Sequence, residues 1–293
     1  MKTAVSMLGT PARATRTLGA ILIDGGQLKP EDAERVLQYQ KQQNLRFGEA
    51  ALRLGLISEA DIQFALSRQF AYAYLRRTPG EMRPLSDELV AAYQPFSTRV
   101  EQLRAIRSQL MLRWFDRAEE RQVLTVVGAE RGEGRSYLAA NLAIVFSQLG
   151  ARVLLVDADL RKPRQAQIFG LPSGQGLSTI LSGRTEHQAT FPVAGLSRLS
   201  VLPAGPLPPN PQELLSRPAF AALVKDLQSL YDVLIVDTPP ARRFADAQSI
   251  TFRAGDALVV ARKNHTPVEA TSKVVRELAA TGARVVGTVI NDY

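Results

Sequence analysis

Residues 123–137, Val-Leu-Thr-Val-Val-Gly-Ala-Glu-Arg-Gly-Glu-Gly-Arg-Ser-Tyr, decide how the rest of the chain is read. The apolar run Val123–Val127 passes into a glycine-rich turn, Gly128 to Ser136, and a helix opens at Tyr137. A β-branched run without polar alternation is a strand buried on both faces. A glycine-rich turn after such a strand points successive backbone N–H groups inward, where they cradle phosphate at the positive end of the helix. The usual spacing is G-x-x-x-x-G-K-[ST]. Here Ala129 stands at the first glycine and Arg135 at the lysine. Taken alone, the stretch is equally an ordinary strand–turn–helix connection.

The neighbouring runs remove that ambiguity. Val153–Val156, Leu199–Leu202, Val233–Val236, Ala257–Val260 and Val285–Ile290 repeat the apolar pattern, with amphipathic helical stretches between them. Strands of this kind alternating with helices predict an α/β domain with a doubly wound, mostly parallel sheet. Ligands of such sheets lie at the carboxyl ends of the strands. Two runs end there in carboxylates: Asp157 and Asp159, spaced i, i+2, and Asp237 before Thr-Pro-Pro. One such aspartate is ordinarily a turn or cap residue. Three beside a glycine loop suit Mg²⁺ and a purine nucleotide, because Mg²⁺ takes hard oxygen ligands and bridges phosphates.

The remainder bounds the answer. The chain has 293 residues, more than one core usually needs, so two domains are expected. Apolar residues make 45% and charged residues 22%, a globular mixture. The longest uncharged run, Ser136–Ala151, contains Asn141, Ser147 and Gln148 and is too short and polar for a membrane span. No secretory segment is expected at the N-terminus. With no cysteine, thiol catalysis and thiolate metal sites are excluded, and two histidines, His187 and His265, make a histidine metal site improbable. The reading is a cytoplasmic protein. Its net charge of +8 is spread over small clusters without interleaved aromatics, so no nucleic acid is expected as partner.

Residues 17–40 and 46–69 align without gaps: Gly19 on Gly48, Gly26 on Gly55, Asp32 on Asp61, Leu37 on Leu66 and Gln40 on Gln69. Each copy reads as a short helix, a glycine turn and a second helix. Pro30 supplies one helix start and Ser58 with Asp61 the other. The expected organisation is a helical two-repeat domain over 1–75, a proline-containing linker over 76–97 with a short helical piece at 87–93, and the α/β domain over 98–293 after a helix at 98–113.

Four segments together, GEGRSYLAANLA (132–143), VLLVDADLRKP (153–163), LPAGPLPPNPQELL (202–215) and DVLIVDTPP (232–240), resemble the bacterial tyrosine kinases of exopolysaccharide biosynthesis, the chain-length-determinant group. The resemblance spans about 98–293. It implies the P-loop fold shared with MinD/ParA ATPases, ATP and Mg²⁺ as ligands, and tyrosine autophosphorylation. On the family's pattern, Gly132, Glu133, Gly134, Arg135, Ser136 and Tyr137 form the phosphate loop, with the Ser136 hydroxyl on Mg²⁺. Asp157 takes the place of the base that deprotonates the acceptor tyrosine, and Asp159 and Asp237 organise the metal. Asn291 resembles an adenine-side asparagine. Glu101, Arg104 and Arg107 match the E-x-x-R-x-x-R motif through which these kinases form rings; read by itself, that helix face is a solvated one with a local ion pair.

Three departures stand out. Arg135 replaces lysine, a broad planar cation for a compact one. Tyr137 stands where a second hydroxyl residue is usual. The family's tyrosine cluster is represented by Tyr293 alone. The N-terminal repeats resemble a different family, the N-terminal domain of type II secretion ATPases, which binds cyclic di-GMP. The second copy carries that pattern at Arg46, Phe47, Gly48, Gly55, Leu56 and Ile57; the first has Thr17 for the arginine and Gln27 for an apolar residue. A domain without any ligand is the plainer reading of these repeats.

These resemblances imply an autokinase that controls polysaccharide polymerisation, export and chain length. A transmembrane co-polymerase would activate it and recruit it to the inner membrane. Two alternatives follow from the same residues: a catalytically weakened, nucleotide-switched adaptor, or a ParA/MinD-like ATPase. The last expects a lysine early in the loop, where this chain has Glu130.

Overall fold

The repeat at 17–40 and 46–69 folds as two helix pairs: α1 (Leu18–Asp24) with α2 (Pro30–Gln43), and α3 (Phe47–Arg53) with α4 (Glu59–Gln69). The matched glycines explain the match. Gly26 and Gly55 both end a first helix with positive φ, 71° and 67°, which side chains other than glycine's resist. Gly19 and Gly48 mark where the copies cross. A Cβ on Gly19 would meet the Phe47 ring at 3.0 Å, and one on Gly48 would meet Leu18 at 3.2 Å. Ser58 and Asp61 form the expected reciprocal cap: the Ser58 N–H donates to Asp61 at 2.9 Å and the Asp61 N–H to Ser58 Oγ at 3.3 Å. Ile21, Leu22, Leu28, Val36, Ile57 and Ala65 make the core of this unit.

This computed structural model describes residues 16–69, 75, 85–115, 122–185 and 189–292, in two compact units, Met1–Ala73 and Tyr74–Tyr293. The second unit begins with α5 (Val90–Tyr93) and α6 (Thr98–Arg113), then β1 (Gln122–Gly128), α7 (Arg135–Ser147), β2 (Val153–Asp157), α8 (Gln165–Ile168), α9 (Leu177–Leu181), β3 (Phe191–Pro192) and β4 (Leu199–Leu202). It continues with α10 (Pro211–Ser216), α11 (Pro218–Leu230), β5 (Val233–Asp237), α12 (Asp246–Ala254), β6 (Asp256–Arg262), α13 (Val268–Ala280) and β7 (Arg284–Asn291). The sheet order is β3-β4-β2-β5-β1-β6-β7, parallel throughout except for β3. All six expected strands are present. The two-residue edge strand β3 carries no periodic signal and was not expected.

The linker expectation needs correction where it can be compared, at residues 85–97. Leu89, Val90, Ala91 and Ala92 are buried, and Asn141 of α7 accepts from the Ala91 N–H at 3.0 Å and donates to the Glu88 carbonyl at 2.8 Å. These apolar residues and an α7 side chain hold the segment to the second unit, despite Pro95. The other part of that span, 76–84, lies outside the described residues. Helix α7 is apolar nearly all round and buried from Leu138 to Ser147, which makes it the central support behind the glycine loop.

Candidate nucleotide site

The glycine loop closes on itself through its own charged residues. Gly132 and Gly134 take positive φ, 80° and 91°, and Gly134 leads directly into α7. Glu133 is fully buried, with one carboxylate oxygen accepting from Thr266 at 2.8 Å. Its other oxygen has no hydrogen-bond partner and lies 3.8 Å from the Arg135 guanidinium. A Cβ on Gly128 would meet that oxygen at 2.2 Å and Arg135 Cδ at 3.0 Å. The glycine that makes room for the buried pair is therefore Gly128, one residue before the patterned position that Ala129 holds.

Arg135 lies inside the loop. Its Nε donates to the Thr238 carbonyl at 3.1 Å and its Nη1 to the Glu130 carbonyl. Thr238 is itself fixed by donating to the Val126 carbonyl at 2.9 Å. The cation thus bridges β1 and β5 at the carboxyl end of the sheet. Asn291 donates to the Glu133 carbonyl at 3.0 Å, so it braces the loop. Tyr137, on the first turn of α7, is half-buried, and its carbonyl accepts from Asn141.

The aspartates converge as their strands require. Asp157 and Asp237 are paired residues of β2 and β5, and both are fully buried. Asp157 accepts three backbone N–H groups: Asp159 at 3.2 Å, Arg164 at 3.0 Å and Gln165 at 2.9 Å. Burial, and then the charge of Asp237, still push its carboxyl well above the usual range. Burial raises Asp237 as well, opposed by Arg135, Ser136 and Gln165. Asp237 accepts from Gln165 Nε2 at 2.8 Å, while its Oδ1 is buried without a hydrogen-bond partner. Asp159 is turned by local bonds, accepting from the Arg161 and Lys162 N–H groups at 3.1 and 2.9 Å.

Orphaned carboxylate oxygens on Asp237 and Glu133 are costly unless a cation or donor arrives. Asp237 beside the Ser136 hydroxyl fits Mg²⁺. The described residues contain no group of three or more Asp, Glu, His or Cys placed to hold a metal, so its remaining ligands would be phosphate oxygens and water, as Mg²⁺ prefers.

These raised values carry a sign. A carboxyl with a raised folded-state value binds its proton more tightly folded than unfolded. The stability it contributes is full below the ordinary carboxylate range and is lost as pH rises through the raised value. Removing the ionisable group at Asp157 removes its share of that loss. The melting temperature of ligand-free Asp157→Asn, relative to the parent, should therefore increase as pH rises above the ordinary carboxylate range. A pH-independent gap would contradict the assignment of a raised value.

Sequence reasoning missed Gln165. Its backbone N–H holds Asp157 and its side chain holds both Asp237 and the Ser136 carbonyl at 3.1 Å. An amide just past R-K-P-R carries no periodic signal, though its place after the second aspartate pattern was available. Also missed was the buried Asp246, held bidentately by Arg161 at 2.7 and 3.1 Å.

Two other groups named from the sequence lie partly inside the fold. Glu101 and Arg104 pair within α6, but Arg107 turns inward to the Val145 carbonyl at 2.8 Å. The side chain of Arg104 is 18% exposed against 62% for Glu101, so this is not a fully solvated face. In the first unit, Gly48 and Ile57 are buried and Phe47 and Leu56 pack on the same core, leaving Arg46 and Gly55 exposed. Tyr293 lies outside the described residues.

Residues 119–292 match the ParA family, described as NUBPL iron-transfer P-loop NTPases. The chain is 35% identical over 199 residues to the putative tyrosine-protein kinase CapB of Staphylococcus aureus, covering 68% of this chain and 86% of that one. It is 36% identical over 217 residues to the tyrosine-protein kinase YwqD of Bacillus subtilis, covering 74% and 90%. Among solved structures it is similar to the kinase domain of the Escherichia coli tyrosine kinase ETK, with TM-score 0.68, 29% identity and 74% and 84% of the two chains covered.

Proposed function

The chain belongs to the bacterial tyrosine-protein kinases within the ParA-type P-loop NTPases, and from that premise we propose that it is an MgATP-dependent tyrosine autokinase regulating exopolysaccharide polymerisation, export and chain length. The observation that carries the reading is the meeting of Asp157, Asp237, Ser136 and Arg135 at one end of β1, β2 and β5. Backbone N–H groups of Gly132–Tyr137 would hold the phosphates, and Ser136 and Asp237 would hold Mg²⁺, with Asp159 organising its waters; the ion would draw charge from the phosphates. Arg135 leaves the Glu130 carbonyl for phosphate oxygen. Asn291 keeps the loop in register and borders the base.

Asp157 receives the proton of the acceptor phenol. The phenolic oxygen bonds to the γ-phosphorus, the bond to the bridging oxygen breaks, and ADP leaves. The Arg164–Gln165 turn that donates to Asp157 controls access to it. Transfer of phosphate from MgATP to a tyrosine of this chain, read by phosphotyrosine detection, tests the function. Nucleotide binding without transfer would favour the adaptor.

The partner is a transmembrane polysaccharide co-polymerase that activates the kinase and recruits it to the inner membrane. Among the described residues no helix is long and apolar enough to cross a membrane. Ring assembly uses Glu101, the exposed member of its motif, with Arg104 and Arg107 setting the helix that presents it. For the first unit, exposed Arg46 is the group that would stack on cyclic di-GMP. Calorimetric titration should give binding that Arg46→Ala removes; no heat with the parent protein leaves the unit an interaction domain.

A further inference from the structure

The turn Ala241–Ala245 follows β5 and forms one wall of a cleft of about 200 Å³, with Gln248 of α12 and Lys273 and Glu277 of α13 opposite. Two of its arginines converge on one carboxylate. Arg242 Nη1 lies 2.6 Å from Glu130 Oε1, and Arg243 Nε lies 3.8 Å from Glu130 Oε2. Both side chains stay open to solvent, 44% and 54% exposed. Lys273 adds a third cation, 3.7 Å from Glu277, whose other oxygen accepts from Gln248 at 3.1 Å.

The wall that presents the arginines is preformed. The Ala241 N–H donates to the Gly128 carbonyl at 2.9 Å and the Arg242 N–H to the Ala129 carbonyl at 3.2 Å, stitching this turn to the phosphate loop. Behind it, the Arg161 guanidinium stacks 4.0 Å from the Phe244 ring centroid and is anchored on fully buried Asp246. A backbone already fixed by these bonds presents two exposed guanidinium groups, and their bonds to a carboxylate are the strong, charge-assisted kind.

We propose that this cleft docks an acidic peptide segment of another polypeptide, and that Glu130 is the chain's own stand-in for the incoming carboxylate. Displacing Glu130 leaves Arg242, Arg243 and Lys273 facing a single competing carboxylate, Glu277. The exchange also reaches the phosphate loop, because the carbonyl of the same Glu130 accepts from Arg135. That consequence for catalysis rests on the kinase reading above; the docking itself does not.

The test uses the full chain without nucleotide and a fluorescently labelled oligoglutamate peptide, with oligolysine as control, read by anisotropy. Glu130→Gln removes the internal competitor and should tighten oligoglutamate binding about tenfold, whereas Arg242→Gln with Arg243→Gln should weaken it about tenfold. Circular dichroism melts accompany each variant, and if the double variant does not fold, Glu130→Gln alone decides. Equal oligoglutamate affinity of parent and folded double variant, or no tightening in Glu130→Gln, overturns the proposal. Since the readout needs no ATP, absence of phosphotyrosine elsewhere leaves this result standing, and loss of docking leaves the kinase reading standing.

Discussion

Replacing Asp157 by asparagine should reduce phosphotyrosine formation by about 10²- to 10⁴-fold while leaving nucleotide binding intact. The substitution keeps the shape and removes the proton acceptor. An asparagine oxygen facing Arg164 and Gln165 preserves two of the three N–H bonds and loses that from Asp159. One lost hydrogen bond costs about 1 kcal/mol. Against it stands relief of a fully buried carboxyl whose ionised form burial already disfavours. The protein should therefore fold, and the loop that cradles phosphate is untouched. Phosphotyrosine by mass spectrometry and nucleotide affinity by calorimetry check both halves. Unchanged phosphotyrosine would remove Asp157 from the role of base.

Arg135→Ala should be the more damaging change, because it strikes folding and chemistry together. Glu133 is fully buried and its unpartnered oxygen faces the Arg135 guanidinium. Stranding one member of a buried ion pair costs about 3–5 kcal/mol, although protonation of Glu133, already favoured by burial, returns part of it. Phosphoryl transfer should fall by about 10²- to 10³-fold, as for loss of one charge-stabilising group. Arg135→Lys separates the two effects. It keeps the cation and gives up the planar reach to the Thr238 carbonyl. Its melting temperature should lie near the parent's, with transfer equal to or above it, since an ammonium fits between phosphates. Thermal melts and phosphotyrosine yields of the two variants check this; a lysine variant as inactive as the alanine would contradict it.

The parts of the molecule legible in the sequence are those whose signal is periodic or local. The runs of β1, β2, β5 and β6 give strands because a sheet covered on both faces needs apolar residues at successive positions, while β7 keeps the pattern although it is only partly buried. Strand-end aspartates are readable for the same reason: Asp157 and Asp237 close such runs and become paired residues. Ser58 with Asp61 is legible because a cap depends on residues three apart.

What escapes is contact between segments far apart in the chain. Glu133 reads as one more residue of the phosphate loop, yet its carboxylate is buried and accepts from the distant Thr266. Arg107 reads as part of a solvated face, and the Val145 carbonyl draws it inward. Residues 85–97 read as part of a proline-containing linker, whereas the Asn141 side chain bonds the Ala91 N–H and the Glu88 carbonyl. Gln165 reads as nothing in particular and touches both buried aspartates. In each case a tertiary partner, absent from any local window, decides the outcome.

Intact-mass analysis after incubation with MgATP, with and without the cytoplasmic part of the membrane co-polymerase, tests the kinase account most directly. The account predicts added phosphate that maps to tyrosine, increases with the partner and disappears in Asp157→Asn. Bound ATP with no added mass, even with the partner present, would contradict it and leave a nucleotide-switched scaffold.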